Sequence, residues 1–232
     1  MPKYSQIDAY LDRNRNLKFQ EEFVIRHFNN YIEKHNEAVN VVSDIGCGDG
    51  LLLKNLATLH KSILFKGFDI AEELINIANS RKPERNLIYE VHDCSKILNK
   101  KSDIVIASGL LSIFNNWEEI INLWLKNLNE KGTLLIFGGF NPFDVDVKVL
   151  FKNNLYSKEW ENGLDIISLN SLNLFCTKKN LAFENLGEFR PPIKIHKSEN
   201  PIRSYTIKDE DESNLVINGA LQIRRFFLVK IS

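Results

Sequence analysis

The chain has 232 residues, 44% of them hydrophobic, with 30 Lys plus Arg balanced by 30 Asp plus Glu. That length supports one well-buried core without requiring a second domain, and the zero net charge argues against bulk attraction to nucleic acid or an acidic membrane. Three scattered cysteines, Cys47, Cys94 and Cys176, form no C-x-x-C pair and have no histidine at ligand spacing, so no metal is expected and reduced cytoplasmic thiols fit best.

In chain order, residues 5–35 place Phe19, Phe23, Val24, Phe28 and Tyr31 at helical spacing, which predicts one or two leading helices. The N-terminal segment lacks the apolar core of a signal peptide, and no apolar run approaches the roughly 18 residues of a membrane span. A soluble cytoplasmic protein without a membrane partner is expected.

Strand and helix signals then alternate: strand 41–45, helix 50–60, strand 62–69, helix 71–80, strand 87–92, strand 102–107, helix 117–128 and strand 132–138. Asn129-Glu130-Lys131-Gly132 reads as a glycine turn closing a helix. Beyond it come an irregular stretch at 140–165, a helix over 165–180, a strand over 182–189, a long excursion at 190–220 and a last strand over 221–231. The alternation predicts an α/β fold, a doubly wound parallel sheet with helices on both faces. The excursion is read as a small hairpin that helps cover a site.

The run Val41-Val42-Ser43-Asp44-Ile45-Gly46-Cys47-Gly48-Asp49-Gly50 is a strand ending in a glycine-dense turn that opens a helix. Gly46, Gly48 and Gly50 follow G-x-G-x-G, whereas the dinucleotide fingerprint is G-x-G-x-x-G with no carboxylate crowding the pyrophosphate. Asp44 and Asp49 flank the turn, which suits a ligand carrying an ammonium and a sulfonium. Asp69 ends the second strand 19 positions after Gly50, where an acid can accept from two ribose hydroxyls; alone it also reads as a helix N-cap.

The sequence D-I-G-C-G-D-G resembles motif I of the class I S-adenosylmethionine-dependent methyltransferases, and the likeness extends over residues 41–139. It implies a Rossmann-like, seven-stranded, mostly parallel sheet with S-adenosylmethionine as cofactor. Asp44, Gly46, Cys47, Gly48 and Gly50 would form the cofactor turn. Asp69 would hold the ribose and Ile70 would pack on the adenine, with Asp93 accepting from the adenine amino group and the Cys94 N–H donating to the ring. Ser108, Gly109 and Leu110 resemble motif IV and would meet the methionine part, with the stretch from Leu111 to Trp117 bordering the methyl. The corresponding partition is a single domain over 1–232: an N-terminal helical cap segment at 1–38, a cofactor-binding core at 39–139, and substrate-side insertions at 140–165 and 190–220 that form a cap.

Catalytic candidates lie just past the fifth strand, in Asn141-Pro142-Phe143-Asp144-Val145-Asp146. Asp144 and Asp146 share a side if this segment is extended and could orient or deprotonate an acceptor, with Asn141 assisting; a merely polar exposed face is an equal reading. His196 and Arg203 are weaker lid candidates, and Tyr4, Tyr10, Phe143, Tyr156 and Trp160 could exclude water. Bland readings suit Asp103 (strand start), Cys47 (small turn residue), His92 (packed) and His60 (helix-end charge). The function expected is methyl transfer to a small-molecule O or N acceptor, with sugars and carboxylates as candidates. The rivals are a non-catalytic cofactor-binding partner or regulator and, lacking the third spaced glycine, an NAD-dependent oxidoreductase.

Overall fold

A computed structural model describes residues 18–35, 39–81, 84–152, 159–196, 204–217 and 223–232. The elements are α1 (Phe19–His35), β1 (Val41–Ile45), α2 (Leu51–Leu59), β2 (Leu64–Asp69), α3 (Glu72–Ser80), β3 (Leu87–Val91), β4 (Ser102–Ser108), α4 (Trp117–Leu125), β5 (Leu128–Asn141), β6 (Leu150–Phe151), β7 (Glu161–Asn162), β8 (Ile167–Ser168), α5 (Leu169–Lys178), β9 (Phe183–Phe189), β10 (Tyr205–Lys208), β11 (Asn214–Ile217) and β12 (Ile223–Ile231).

The main sheet runs β10-β11-β12-β5-β4-β1-β2-β3, with β9 on β12 and β8 on β5. Strands β3, β2, β1, β4 and β5 are parallel, and β12 is antiparallel to both β5 and β9. The expected seven-stranded core is therefore β3-β2-β1-β4-β5-β12-β9. Among the described residues three further strands, β8, β10 and β11, bring the sheet to ten. The chain leaves β1 toward β2 and later returns on its other side as β4, so strand order reverses at the carboxyl ends of β1 and β4. Ligands in open α/β sheets bind at such a reversal.

Period-2 alternation supplies both faces of the sheet. Val42, Ile104, Ile106, Leu135, Phe137 and Leu228 pack with α1, α2 and part of α3. Val105, Ala107, Leu134, Ile136, Phe227 and Val229 pack with α4 and α5 around fully buried Trp124. These strands read as continuous apolar runs because both faces are covered.

Asp103 has the structural place expected of it: its Oδ2 accepts from the Asn40 and Val41 N–H groups at 2.8 and 2.9 Å, and its Oδ1 from Asn129 at 2.6 Å. The glycine-turn reading of 129–132 is corrected. Helix α4 ends at Leu125 and the chain is already in β5 by Leu128, with a register shift opposite Ser102 and Ile104. A Cβ on Gly132 would lie 2.9 Å from the Leu128 Cβ and 3.1 Å from two carbonyl oxygens, so this glycine serves a bulge inside a strand. His60 is also corrected. Burial lowers its pKa, its Nε2 meets Asn29 Oδ1 at 2.8 Å, and its ring packs edge-on to Phe28, so the packing favours a neutral imidazole.

The 140–165 insertion folds into the two-stranded β6–β7 sheet and returns as β8. The 190–220 excursion contains the β10–β11 hairpin, which extends the main sheet through β12 beside its Ile223–Arg224 end. Among the described residues no helix is long and apolar enough to cross a membrane.

Candidate functional site

The glycine turn is stitched to the end of β2: the Gly46 and Cys47 N–H groups both donate to the Phe68 carbonyl, at 2.7 and 3.0 Å. Gly46, Gly48 and Gly50 have φ of +74°, +56° and +73°, the left-handed region that glycine enters without strain. Sequence reasoning missed Tyr89. Its ring lies 2.5 Å from where a Cβ on Gly50 or Gly67 would sit, and its hydroxyl donates to the Gly50 carbonyl at 2.6 Å. Gly50 thus makes room for a protein side chain as well as for the turn. The available signal was Gly67, which pairs with Tyr89 across β2 and β3. Leu110 covers Gly46 in the same way, 3.0 Å from its hypothetical Cβ. Gly109, at φ +72°, differs because no atom lies within 4 Å of its Cβ position.

Asp69 acts as a clasp. Its Oδ2 accepts from the Gly48 N–H and its Oδ1 from the Ala71 N–H, both at 2.9 Å. It does not cap α3, whose N-cap is Ala71 with no side-chain bond. Each carboxylate oxygen keeps a second acceptor site. Asp44 is 1% exposed, and its Oδ1 has no hydrogen-bond partner among the described residues. Burial first, then the charges of Asp69 and Glu21, push its pKa well above the carboxylate range. A ligand cation would reverse that imbalance.

Asp49 departs from expectation. It is buried in an ion pair with Arg81 at 2.8 Å, so the positive demand of the site rests on Asp44 and Asp69 and not on the two acids flanking the turn. Cys47 is buried, and burial together with neighbouring Asp44 and Asp69 raises its thiol pKa, in keeping with a packing role.

At the next strand ends, Ile70 is 51% exposed beside Asp69 and offers an apolar surface there. Asp93 Oδ1 accepts from the Ser95 N–H at 2.9 Å and the Ser95 hydroxyl at 2.7 Å. Burial alone would raise its pKa, but these bonds and Lys96 bring it below the usual range. The Cys94 carbonyl is fixed by Trp124 Nε1 at 3.0 Å, and burial pushes its thiol up to about 12. Past half-buried Ser108, the Gly109 N–H donates to the Phe137 carbonyl at 2.7 Å. Of the stretch expected to border the methyl, Phe114 and Trp117 are engaged edge-on with Trp124 and Phe175 in the α4–α5 layer.

Beyond β5, the three residues expected to work together have different surroundings. Asn141 closes its own bend, donating to the Val145 carbonyl at 2.8 Å and accepting from the Phe143 N–H at 3.0 Å. Residues 142–144 are bent and not extended, so the shared-side argument for Asp144 and Asp146 fails. Asp144 and Asp146 are both exposed, and Asp146 accepts from the Ser168 N–H at 2.6 Å and the Ser171 hydroxyl at 2.8 Å, holding the start of α5. His196, Phe143 and Trp160 are exposed, and Tyr4, Tyr10, Tyr156 and Arg203 lie outside the described residues. Asp165, which the sequence did not single out, is 4% exposed at this edge.

Against known proteins, a family model described as a methyltransferase domain matches residues 43–136. The malonyl-[acyl-carrier protein] O-methyltransferase of Bacillus cereus is 25% identical over 105 residues, 44% of this chain and 39% of that protein. A tRNA (guanine-N(7)-)-methyltransferase of Prochlorococcus marinus is 31% identical over 146 residues, 52% of this chain and 66% of that protein. The chain thus matches well under half the length of the first of these relatives. In fold it is similar to the plantazolicin methyltransferase BpumL, solved in complex with SAH (S-adenosylhomocysteine), with a TM-score of 0.62, 17% identity, and coverage of 100% of this chain and 90% of that one. The cofactor of this family is S-adenosylmethionine, and an orphaned buried carboxylate at the strand-order reversal, a second acid clasping the glycine turn and open space over Gly109 fit its cationic character. Motif order, sheet order and the methyltransferase domain matched over residues 43–136 together support a class I S-adenosylmethionine-dependent methyltransferase.

Proposed function

We propose that the protein binds S-adenosylmethionine and transfers its methyl group to the oxygen or nitrogen of a small-molecule acceptor. The observation that carries this reading is Asp44, a buried carboxylate with one oxygen unpartnered among the described residues, where a cationic ligand would be received. In this reading Asp44 attracts the ammonium, Asp69 accepts from the ribose hydroxyls while clasping the turn, Ile70 lies on the adenine, and Asp93 and the Cys94 N–H recognise its edge. Gly46, Cys47, Gly48 and Gly50 shape the turn, and Ser108, Gly109 and Leu110 line the methionine side.

When bound, S-adenosylmethionine supplies an activated methyl on a sulfonium. The residues of the chain align the acceptor and exclude water; as the reaction neutralises a cation, a drier site helps. Balanced overall charge favours a small acceptor. The tRNA-modifying relative supports a polynucleotide acceptor as the second reading.

Calorimetric titration with S-adenosylmethionine, S-adenosylhomocysteine and NAD tests the proposal, repeated on Asp69→Ala. Micromolar binding of both adenosyl ligands is expected, weakened about 30-fold in the variant through loss of charge-assisted hydrogen bonds. Binding of NAD alone, or of none of the three, would sink it. Labelled methyl appearing in total tRNA and in no small-molecule pool would transfer the case to the second reading.

A further inference from the structure

Strand β5 has β12 along one side as far as Phe140 and β4 along the other as far as Phe137. Strand β8 pairs with Phe140 and Asn141, so it occupies the lane that β4 vacates after Ser108. The insertion therefore re-enters directly over the carboxyl end of β4. Two residues before β8, the Asp165 N–H donates to the Ser112 carbonyl at 2.8 Å, joining the insertion to the turn that follows β4.

Both residues bring an unused polar group. Asp165 is 4% exposed; its Oδ1 accepts from the Val149 N–H at 2.9 Å, and its Oδ2 has no partner among the described residues. Ser112 is 6% exposed, and its Oγ is buried without a partner among them. Burial raises the Asp165 pKa against the opposing pull of the Val149 N–H and Lys148. Close along the insertion, Phe143, Val145, Leu150 and Trp160 leave 54 to 68% of their surface exposed.

We propose that Asp165 is the catalytic base and Ser112 its companion in binding a phenol-type hydroxyl acceptor, whose ring packs on the apolar side chains of the insertion. A hydroxyl suits the pair because it donates to a carboxylate and accepts from a serine, whereas a carboxylate acceptor meets like charge. A lone pair of the acceptor oxygen forms the new O–CH3 bond, the C–S bonding pair stays on sulfur as a neutral thioether, and the hydroxyl proton passes to Asp165 Oδ2 and then to water.

This inference rests on the proposed cofactor, so the test separates the two. Asp165→Asn keeps an oxygen for the Val149 N–H and removes the base. The affinity for S-adenosylhomocysteine, read by calorimetry, should be unchanged. Methylation of catechol should fall about 100-fold. Methylation of 4-nitrocatechol, which arrives largely ionised at about pH 8, should fall less than about 10-fold because its proton is already gone. Equal losses on the two phenols, no loss on either, impaired S-adenosylhomocysteine binding by the variant, or a cofactor-binding wild type that methylates neither phenol would each overturn the assignment. A wild type that does not bind S-adenosylhomocysteine would overturn the underlying cofactor reading instead.

Discussion

The edge formed by β1, β2 and β3 and the edge beyond β5 are built on different principles. At the first, short turns fix each polar group within a few residues of its strand, and hydrogen bonds tie the glycine turn to the end of β2: the Gly46 and Cys47 N–H groups to the Phe68 carbonyl, and the Gly48 N–H to the Asp69 carboxylate. At the second, Asp146 and Asp165 lie on the segment between Asn141, where the chain leaves the sheet, and Ile167, where it returns, and are held by contacts with residues distant in sequence. The first edge is a frame fixed by local bonds, and the second is assembled from segments distant in sequence.

The largest effect expected is on the first edge. Arg81→Met leaves Asp49 charged and buried, with a loss of about 3–5 kcal/mol in urea unfolding; a loss below about 1 kcal/mol would mean that the frame does not depend on this pair.

Asp44→Asn should move two quantities in opposite directions. Binding of S-adenosylmethionine should weaken about 10-fold or more, a change of the size of a charged hydrogen bond. Stability of the ligand-free protein should improve above pH 4. The sign follows from the raised folded-state pKa of Asp44: stability is fully present below the unfolded value of about 4 and is lost as pH rises through the folded value. The variant should lack that part of the decline, and parallel pH–stability curves would remove the argument for a strained carboxylate.

The smallest effect belongs to the second edge. Asp146→Ala should cost about 1 kcal/mol by loosening the start of α5, with S-adenosylhomocysteine affinity unaltered; a large loss of methyl transfer at full stability would return Asp146 to the chemistry.

This contrast also explains what could be read from the residues alone. The strand ends were legible because positive-φ turns demand glycine locally and a strand buried on both faces must be apolar throughout. Asp103 was correctly placed at the start of its strand by the same local logic. Tyr89 was not, since a buried aromatic in a strand reads as core, and only its tertiary contact with Gly50 shows that it props the turn. The Gly132 bulge imitates a helix stop in sequence, and its meaning depends on the neighbouring Asp103 carbonyl. Asp144 and Asp146 were attractive only if the backbone was extended, which the bend after Asn141 prevents. Asp165 carries no motif at all; its position follows from pairing of β8 with β5, a contact between segments some 27 residues apart in the register Phe140 to Ile167.

That pairing also bears on how the acceptor side can change over time. Because β8 is anchored to β5 at Phe140 and Asn141, and Asp165 to Ser112, insertion or deletion near the β6–β7 tip need not displace either anchor. Lengthening such a loop costs only about 0.6 kcal/mol per doubling. The hairpin is thus a module whose length can drift while Asp165 and Ser112 keep their places, without reopening the sheet.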